Sequence, residues 1–189
     1  GDVFRAGMQT TRYLSSLEYR PATIDVLDAG VQTSVQDWPA RVGYWDIGVP
    51  PSGPMDALSF RLANQLAGNS VDAAGLEITM SGPTLKFNMN AVIAVTGAEL
   101  PLLLDGKPLA LWAAHEIAAG STLELGAIKD AGCRSYLAIA GGLDVPAYLG
   151  SRSTFTLGQF GGHAGRNLRL GDVLHPGNAA VKKTAALPE

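Results

Sequence analysis

Residues 84–142, TLKFNMNAVIAVTGAELPLLLDGKPLALWAAHEIAAGSTLELGAIKDAGCRSYLAIAGG, decide the fold. Short apolar runs alternate with turn residues: TLKFN, AVIAVTG, LPLLLDG, TLELGAI and RSYLAIAGG each contain Gly or Asn punctuation at or near their ends. Asp105-Gly106, between LPLLL and KPLAL, is a strong two-residue hairpin signal. AVIAVTG is apolar at successive positions, which suits a central strand covered on both faces. Toward the C-terminus the pattern continues with GDVLHPG at 171–177. The expectation is a mainly β fold, a closed or nearly closed barrel with one helix plugging or flanking an end.

That helix lies upstream, in QDWPARVGYWDIGVPPSGPMDALSFRLANQLAGN at 36–69. Met55, Leu58, Leu62 and Leu66 recur near helical spacing, and Gly68 stands where a C-terminal cap belongs, so a helix is expected from Met55 to Ala67. Ser52 or Gly53 suits the N-cap, Pro54 the first turn, and Asp56 the positive end of the helix dipole. Pro50, Pro51 and Pro54 stiffen the preceding loop, while Gly48 and Gly53 permit positive φ and close ligand approach.

A rigid loop feeding a helix N-terminus is a place where ligands bind. Asp56 and Ser52 are therefore candidate ligand-facing groups, although both also serve simply to start a helix. Asp56, Phe60 and Asn64 fall on one side at i, i+4 spacing, which places Asn64 on a polar edge away from the leucine stripe, exposed to solvent or ligand. Downstream, GSRSTFTLGQFGG at 150–162 reads as a long loop whose Ser151, Arg152, Ser153 and Thr154 offer donors, with local turn hydrogen bonding as the plainer role.

Composition excludes several classes. The 189 residues suit one domain or part of one, and 47% hydrophobic with 16% charged residues can bury a core. A formal net charge of −3 without a basic run argues against nucleic acid. No apolar run reaches the roughly 18 residues that span a bilayer, and the first residues carry no signal-peptide core, so no membrane association and a cytoplasmic location are expected. The single Cys133 cannot form an internal disulfide and is expected as a small core residue. His115, His163 and His175 show no metal-ligand spacing, so no metal site is expected; His163, between glycines, reads as a surface loop residue.

The strings VLDAGVQTSVQDWPARVGYWDIGVPPSGPMDALSFRLANQLAGN, AAGLEITMSGPTLKF and SYLAIAGGLDVPAYLGSRSTFTLGQFGGHAGRNLRLGD closely resemble the carboxyltransferase region of urea carboxylases, within the broader allophanate hydrolase subunit 2 family. The resemblance covers about Ile24 to Leu174. Ala40 stands before Arg41 where those carboxylases tend to have Gly. FRAGMQTTRYLSSLEYRP resembles the tail of a preceding biotin carboxylase domain. The resemblance thus implies a tail or linker at 1–22, the first part of a carboxyltransferase subdomain at 23–178, and a linker or frayed tail at 179–189.

It further implies a cyclophilin-like β-barrel that is a fragment of a larger carboxyltransferase domain. Its implied chemistry is transfer of CO2 from carboxybiotin to a urea nitrogen, giving allophanate. Biotin would ride on a separate carrier domain, and ATP and Mg would act at a separate biotin carboxylase domain, with no cofactor bound by this region. The implied partners are those two domains, the second half of the carboxyltransferase domain, and a small substrate, urea or guanidine. A cyclophilin-like regulatory or subunit-interaction module, and a subunit of an ATP-dependent 5-oxoprolinase, are the competing readings. Within the motif, Asp56, Ser52 and Asn64 are the candidate catalytic residues, and Gly53, Gly48, Gln36, Arg41 and Glu77 the candidate substrate-binding ones, with an ordinary salt bridge as the plainer role for Arg41.

Overall fold

The computed structural model describes residues 22–177. The expected tail at 1–22, apart from Ala22, and the expected linker at 179–189 lie outside the described residues. Among the described residues the chain is mainly β with one α-helix, as the punctuated apolar runs require. Its strands are β1 (Ile24–Asp28), β2 (Gln32–Gln36), β3 (Gly75–Thr79), β4 (Thr84–Phe87), β5 (Ala91–Gly97), β6 (Leu102–Leu104), β7 (Lys107–Pro108), β8 (Ala114–Ile117), β9 (Thr122–Leu125), β10 (Arg134–Ile139) and β11 (Val173–Leu174). The helix α1 spans Ala57–Leu66.

The strands do not close into a barrel. They form a six-stranded sheet ordered β11-β1-β4-β9-β6-β7 and a five-stranded sheet ordered β2-β3-β10-β5-β8, with antiparallel pairing in both. Each sheet has one strongly apolar face, and stacking those faces buries both without a continuous hydrogen-bonded ring. Ile24, Leu85 and Leu123 from one sheet share a single buried cluster with Leu76, Ile93 and Leu137 from the other. The Asp105-Gly106 hairpin joins β6 to β7, both residues at positive φ (50° and 77°) as the tight primed turn demands.

A third layer is α1, packed on the outer face of the five-stranded sheet. Period-two alternation makes this possible: along β10, Leu137 and Ile139 point into the inter-sheet core, while Tyr136 and Ala138 meet Phe60, Ala63, Leu66 and Ala67. On β5, Ile93 and Val95 point inward and Ala94 toward the helix, so AVIAVTG is covered on both sides. Phe60 meets Tyr136 edge to face, ring centroids 5.8 Å apart.

The buried stripe of α1 is thus Phe60, Ala63 and Leu66, not the expected Met55, Leu58, Leu62 and Leu66. Met55 and Leu58 are 70% and 65% exposed. The helix also starts later than expected, because Asp56 itself is the N-cap. Its Oδ1 accepts from the N–H groups of Leu58 (3.1 Å) and Ser59 (3.0 Å). Ser52 and Gly53 lie outside the helix. Cys133 is only half-buried, at the turn entering β10, rather than in the core.

Candidate functional site

A row of polar side chains crosses the outer face of the five-stranded sheet. Ser34 on β2 stands opposite Glu77 on β3, Glu77 opposite Tyr136 on β10, and Tyr136 opposite Thr96 on β5. All four are buried. Groups of this kind are stable inside a protein only when hydrogen-bonded, and their partners lie on β2, in the loop that leads into α1 and in the first turn of α1.

Glu77 Oε2 accepts from the Met55 N–H at 2.7 Å and from the Tyr136 hydroxyl at 3.1 Å. The Tyr136 hydroxyl in turn accepts from the Asp56 N–H at 2.7 Å. Gln36, on the same face of β2 as Ser34, donates to Ser34 Oγ (2.9 Å), and its Oε1 accepts from the Gly53 N–H at 2.9 Å. Thr96 Oγ1 donates to the Ser59 carbonyl at 2.7 Å, holding the first turn of α1. Pro54 has no N–H, so every backbone donor from Gly53 to Asp56 is taken by a buried side chain. Burial, first, and then the neighbouring Glu77 charge raise the Tyr136 pKa, so the hydroxyl stays protonated and can donate to the carboxylate. Arg134 Nε lies 3.6 Å from Glu77 Oε1 on the far side.

The sequence candidates therefore divide. Gln36 and Glu77 lie beneath the loop and orient it. Asn64 is fully buried instead of solvent-facing: it donates to the Ala73 carbonyl (3.0 Å) and accepts from Asn69 (2.9 Å), while Asn69 also donates to the Ile139 carbonyl and accepts from the Gly141 N–H. Asp56, Ser52, Gly53 and Gly48 remain together on the loop itself. Asp56 is exposed, and its Oδ2 accepts from the Ser59 hydroxyl at 2.5 Å. That bond, foremost, and the two backbone N–H groups hold its carboxyl below the usual range against the opposing effect of burial. Ser52 is half-buried at φ 60°, a conformation uncommon for a residue with a side chain. Gly48 closes a 3₁₀ turn at Trp45–Ile47 and gives its N–H to the Trp45 carbonyl. Within the same stretch of chain Val42, Trp45, Ile47, Met55 and Leu58 are exposed.

Arg41 is 1% exposed and forms no carboxylate ion pair among the described residues. Its Nε donates to the Tyr148 carbonyl (3.1 Å), Nη2 to the Ser153 carbonyl (2.8 Å), and the guanidinium lies over the Phe160 ring at 4.9 Å. Desolvation lowers its pKa, partly offset by Asp37. Asp37, which motif and spacing do not single out, is buried and accepts from the Ser151 and Ser153 hydroxyls and the Arg152 N–H, each at 2.6 Å. Its one sign in the sequence is a carboxylate in a stretch flanked by Val35 and Trp38, together with a serine-rich loop far downstream. Ser151, Ser153 and Thr154 thus bond across more than a hundred residues, to Asp37 and to the Val35 carbonyl, while Ser151 Oγ also makes the expected local turn bond, accepting from the Ser153 N–H at 2.9 Å.

The histidines stay apart. His115 contacts the Ala110 carbonyl, His175 lies 3.4 Å from the Ala22 carbonyl, and His163 lies 3.5 Å from Asp172. No group of three metal-ligating side chains comes together among the described residues. No helix among them is long and apolar enough to cross a membrane. A cavity of about 640 Å3, lined by Met89, Ala91, Ile117 and Pro176 among others, shares no residue with the loop–helix junction.

Comparison with known proteins matches residues 47–189 to the carboxyltransferase domain, subdomain A and B. The whole chain is 49% identical to urea amidolyase of Saccharomyces cerevisiae over 189 residues, spanning 10% of that protein. The crystal structure of the Kluyveromyces lactis urea carboxylase superposes with a TM-score of 0.83 at 49% identity, over 92% of this chain and 15% of that one. A 5-oxoprolinase subunit of Escherichia coli is 39% identical over 158 residues, 82% of this chain and 50% of the relative. The chain therefore spans a small part of the urea-directed relatives and half of the 5-oxoprolinase subunit.

Proposed function

Since this chain belongs to the family of carboxyltransferase domains, subdomains A and B, we propose that its loop–helix junction is part of a site that carboxylates a urea nitrogen within a larger biotin-dependent protein. The reading rests on one observation above all: the exposed, ionised carboxylate of Asp56, fixed at a helix N-terminus. Identity over the full chain to a urea amidolyase, against partial coverage by the 5-oxoprolinase subunit, favours urea as the acceptor. The same urea-directed relatives favour it over guanidine.

Biotin, carried on a separate domain, supplies an activated carboxyl group. A bicyclic ureide is apolar on its thioether side and polar on its ureido side, and a stretch that exposes Trp45, Ile47 and Met55 and carries the polar Ser52 and Asp56 offers both kinds of group. ATP and Mg act at the biotin carboxylase domain of the same polypeptide, away from this region.

This chain's own task is to hold the acceptor. Urea is small, neutral and rich in N–H donors, so its site needs oxygen acceptors. The Asp56 carboxylate has about four lone-pair sites. Three donors, the N–H groups of Leu58 and Ser59 and the Ser59 hydroxyl, use most of them and leave room for an incoming N–H. Those bonds also keep the group ionised at neutral pH. The Ser52 hydroxyl is a donor toward developing negative oxygen, and a well-placed donor of this kind contributes about 10²–10³ in rate. Gly48 and Gly53 let the backbone approach closely, while Gln36, Glu77 and Asn64 serve the site from beneath by fixing the loop and helix.

Asp56→Asn in the full-length protein tests the assignment. Asparagine caps a helix about as well as aspartate, so folding is retained while the carboxylate is lost. Urea-dependent turnover is expected to fall about 10- to 100-fold, the worth of a hydrogen bond to a charged group, with biotin carboxylation, measured separately, unaffected. Unchanged urea turnover removes Asp56 from the site.

A further inference from the structure

We infer that Asp37 and Arg41 are positioning residues that join residues 148–161 to the site loop as a second, fixed wall. The inference rests on the carboxyl-transfer reading and extends it to a segment that the family resemblance leaves without a role.

Arg41 reaches in two directions. Its backbone N–H donates to the Pro51 carbonyl at 2.9 Å, one residue before Ser52. Its side chain extends the other way, to the Tyr148 and Ser153 carbonyls and the Phe160 ring. A single buried residue therefore holds both segments. Asp37, four positions earlier, grips the same downstream segment through Ser151, Arg152 and Ser153, and its own N–H donates to Ser153 Oγ at 3.0 Å.

The fit between the segments is close. A Cβ built at Gly53 would lie 2.5 Å from Ala40 Cβ, and one built at Gly161 would lie 2.1 Å from the Ser153 carbonyl oxygen and 2.8 Å from Arg41 Nη2. Only glycine fits either place. Residues 148–161 hold two short bridges, Tyr148 with Ser151 and Phe155 with Phe160, and otherwise no regular ladder of their own. What ties them to the segment bearing the site loop is these two side chains together with the Thr154 N–H and hydroxyl bonds to the Val35 carbonyl, while the Arg152 contact with the Val145 carbonyl and the packing of Phe160 on Tyr148 and Phe155 act within the downstream region. A buried guanidinium and a buried carboxylate are costly to hold in place, and both serve one task, fixing an irregular segment relative to Pro51.

The test uses the full-length protein with Asp37→Ala and, as a milder change, Arg41→Lys, which keeps the charge but not the fork of donors. Amide hydrogen exchange is expected to accelerate at least tenfold at Arg152, Phe155 and Gly162, with the central strands β3, β5 and β10 unchanged. Because misplacement by about 1 Å costs about 10²-fold in rate, kcat for urea carboxylation should drop 10- to 100-fold, KM for urea should move less than about threefold, and biotin carboxylation should persist. Exchange that is unaltered, or raised evenly over the whole domain, overturns the inference. Local loosening with kcat intact overturns the positioning role and leaves the carboxyl-transfer reading standing, whereas absence of urea-dependent carboxylation in the unsubstituted protein overturns that reading itself. Should Asp37→Ala fail to fold, Arg41→Lys alone decides by the same two measurements.

Discussion

The two faces of the five-stranded sheet solve different problems. The inner face, Leu76, Ile78, Ile93, Val95, Leu137 and Ile139, meets the other sheet through apolar contact alone. The outer face carries Ser34, Glu77, Tyr136 and Thr96 in one cross-strand row, and each meets a named backbone or side-chain partner. Apolar contact is non-directional and sums over area, so the inner face sets stability without specifying any one loop conformation. Hydrogen bonds are directional and modest in net worth but costly when broken. The outer face therefore sets the shape of the loop at Gly53–Asp56 more than it sets the stability of the fold.

Truncation on each face should separate the two. Phe87, fully buried on β4 in the inter-sheet core, should cost about 3–5 kcal/mol as Phe87→Ala, lowering the denaturation midpoint for all probes together. Tyr136→Phe, on the outer face, should cost about 1–3 kcal/mol, because the Asp56 N–H loses its acceptor and Glu77 one donor. Its mark is local: amide exchange should accelerate at Asp56 well beyond the drop in global stability. Equal acceleration everywhere would mean that the outer row is merely more core.

Acid should expose a further difference, since ionic contacts lie away from the inner face. Asp172 is held down to about 2, chiefly by the bidentate Arg166 contact at 2.7 and 2.8 Å. A carboxyl whose folded pKa is depressed stabilises the fold fully above its unfolded value near 3.8. That contribution, about 1–2 kcal/mol, fades as pH falls from about 4 toward 2. Asp172→Asn should flatten this part of the stability–pH curve, as followed by urea unfolding at fixed pH. An unchanged slope would show that other carboxylates govern acid unfolding.

The same contrast explains what the sequence disclosed. Strands whose inner residues are Leu, Ile and Val (β4, β5, β6, β9 and β10) announce themselves by hydropathy. β2, QTSVQ, does not, because Thr33, Ser34 and Gln36 are polar residues made buriable by hydrogen bonds to the Ala29 carbonyl, to each other and to the Gly53 N–H, which hydropathy does not register. Asn64 shows the same limit: its spacing is correct for one face of α1, but that face is the buried one and its amide is satisfied by Ala73 and Asn69. Met55 and Leu58 mislead in the opposite sense, as apolar residues at helical spacing that point outward. The loop is legible because Gly and Pro mark backbone constraints locally. Asp37 is not, because its donors lie 114 to 116 residues away.

The smallest expected effect concerns the turn that links the two faces. Ala40 sits at φ 74°, a left-handed conformation that costs a residue with a Cβ about 1–2 kcal/mol. Glycine removes that strain but loses more chain entropy on folding, a penalty of about 0.5–1 kcal/mol. Ala40→Gly should therefore raise stability by up to about 1 kcal/mol. It also removes the methyl that Gly53 packs against, freeing space at the closest approach between the turn and the site loop. If the loop's shape is set by the Gln36, Glu77 and Tyr136 hydrogen bonds, as the contrast between faces demands, the substitution should leave exchange at Met55 and Asp56 slow. A gain in stability accompanied by faster exchange at those two amides would show that packing by Ala40, and not the polar row, holds the junction in place.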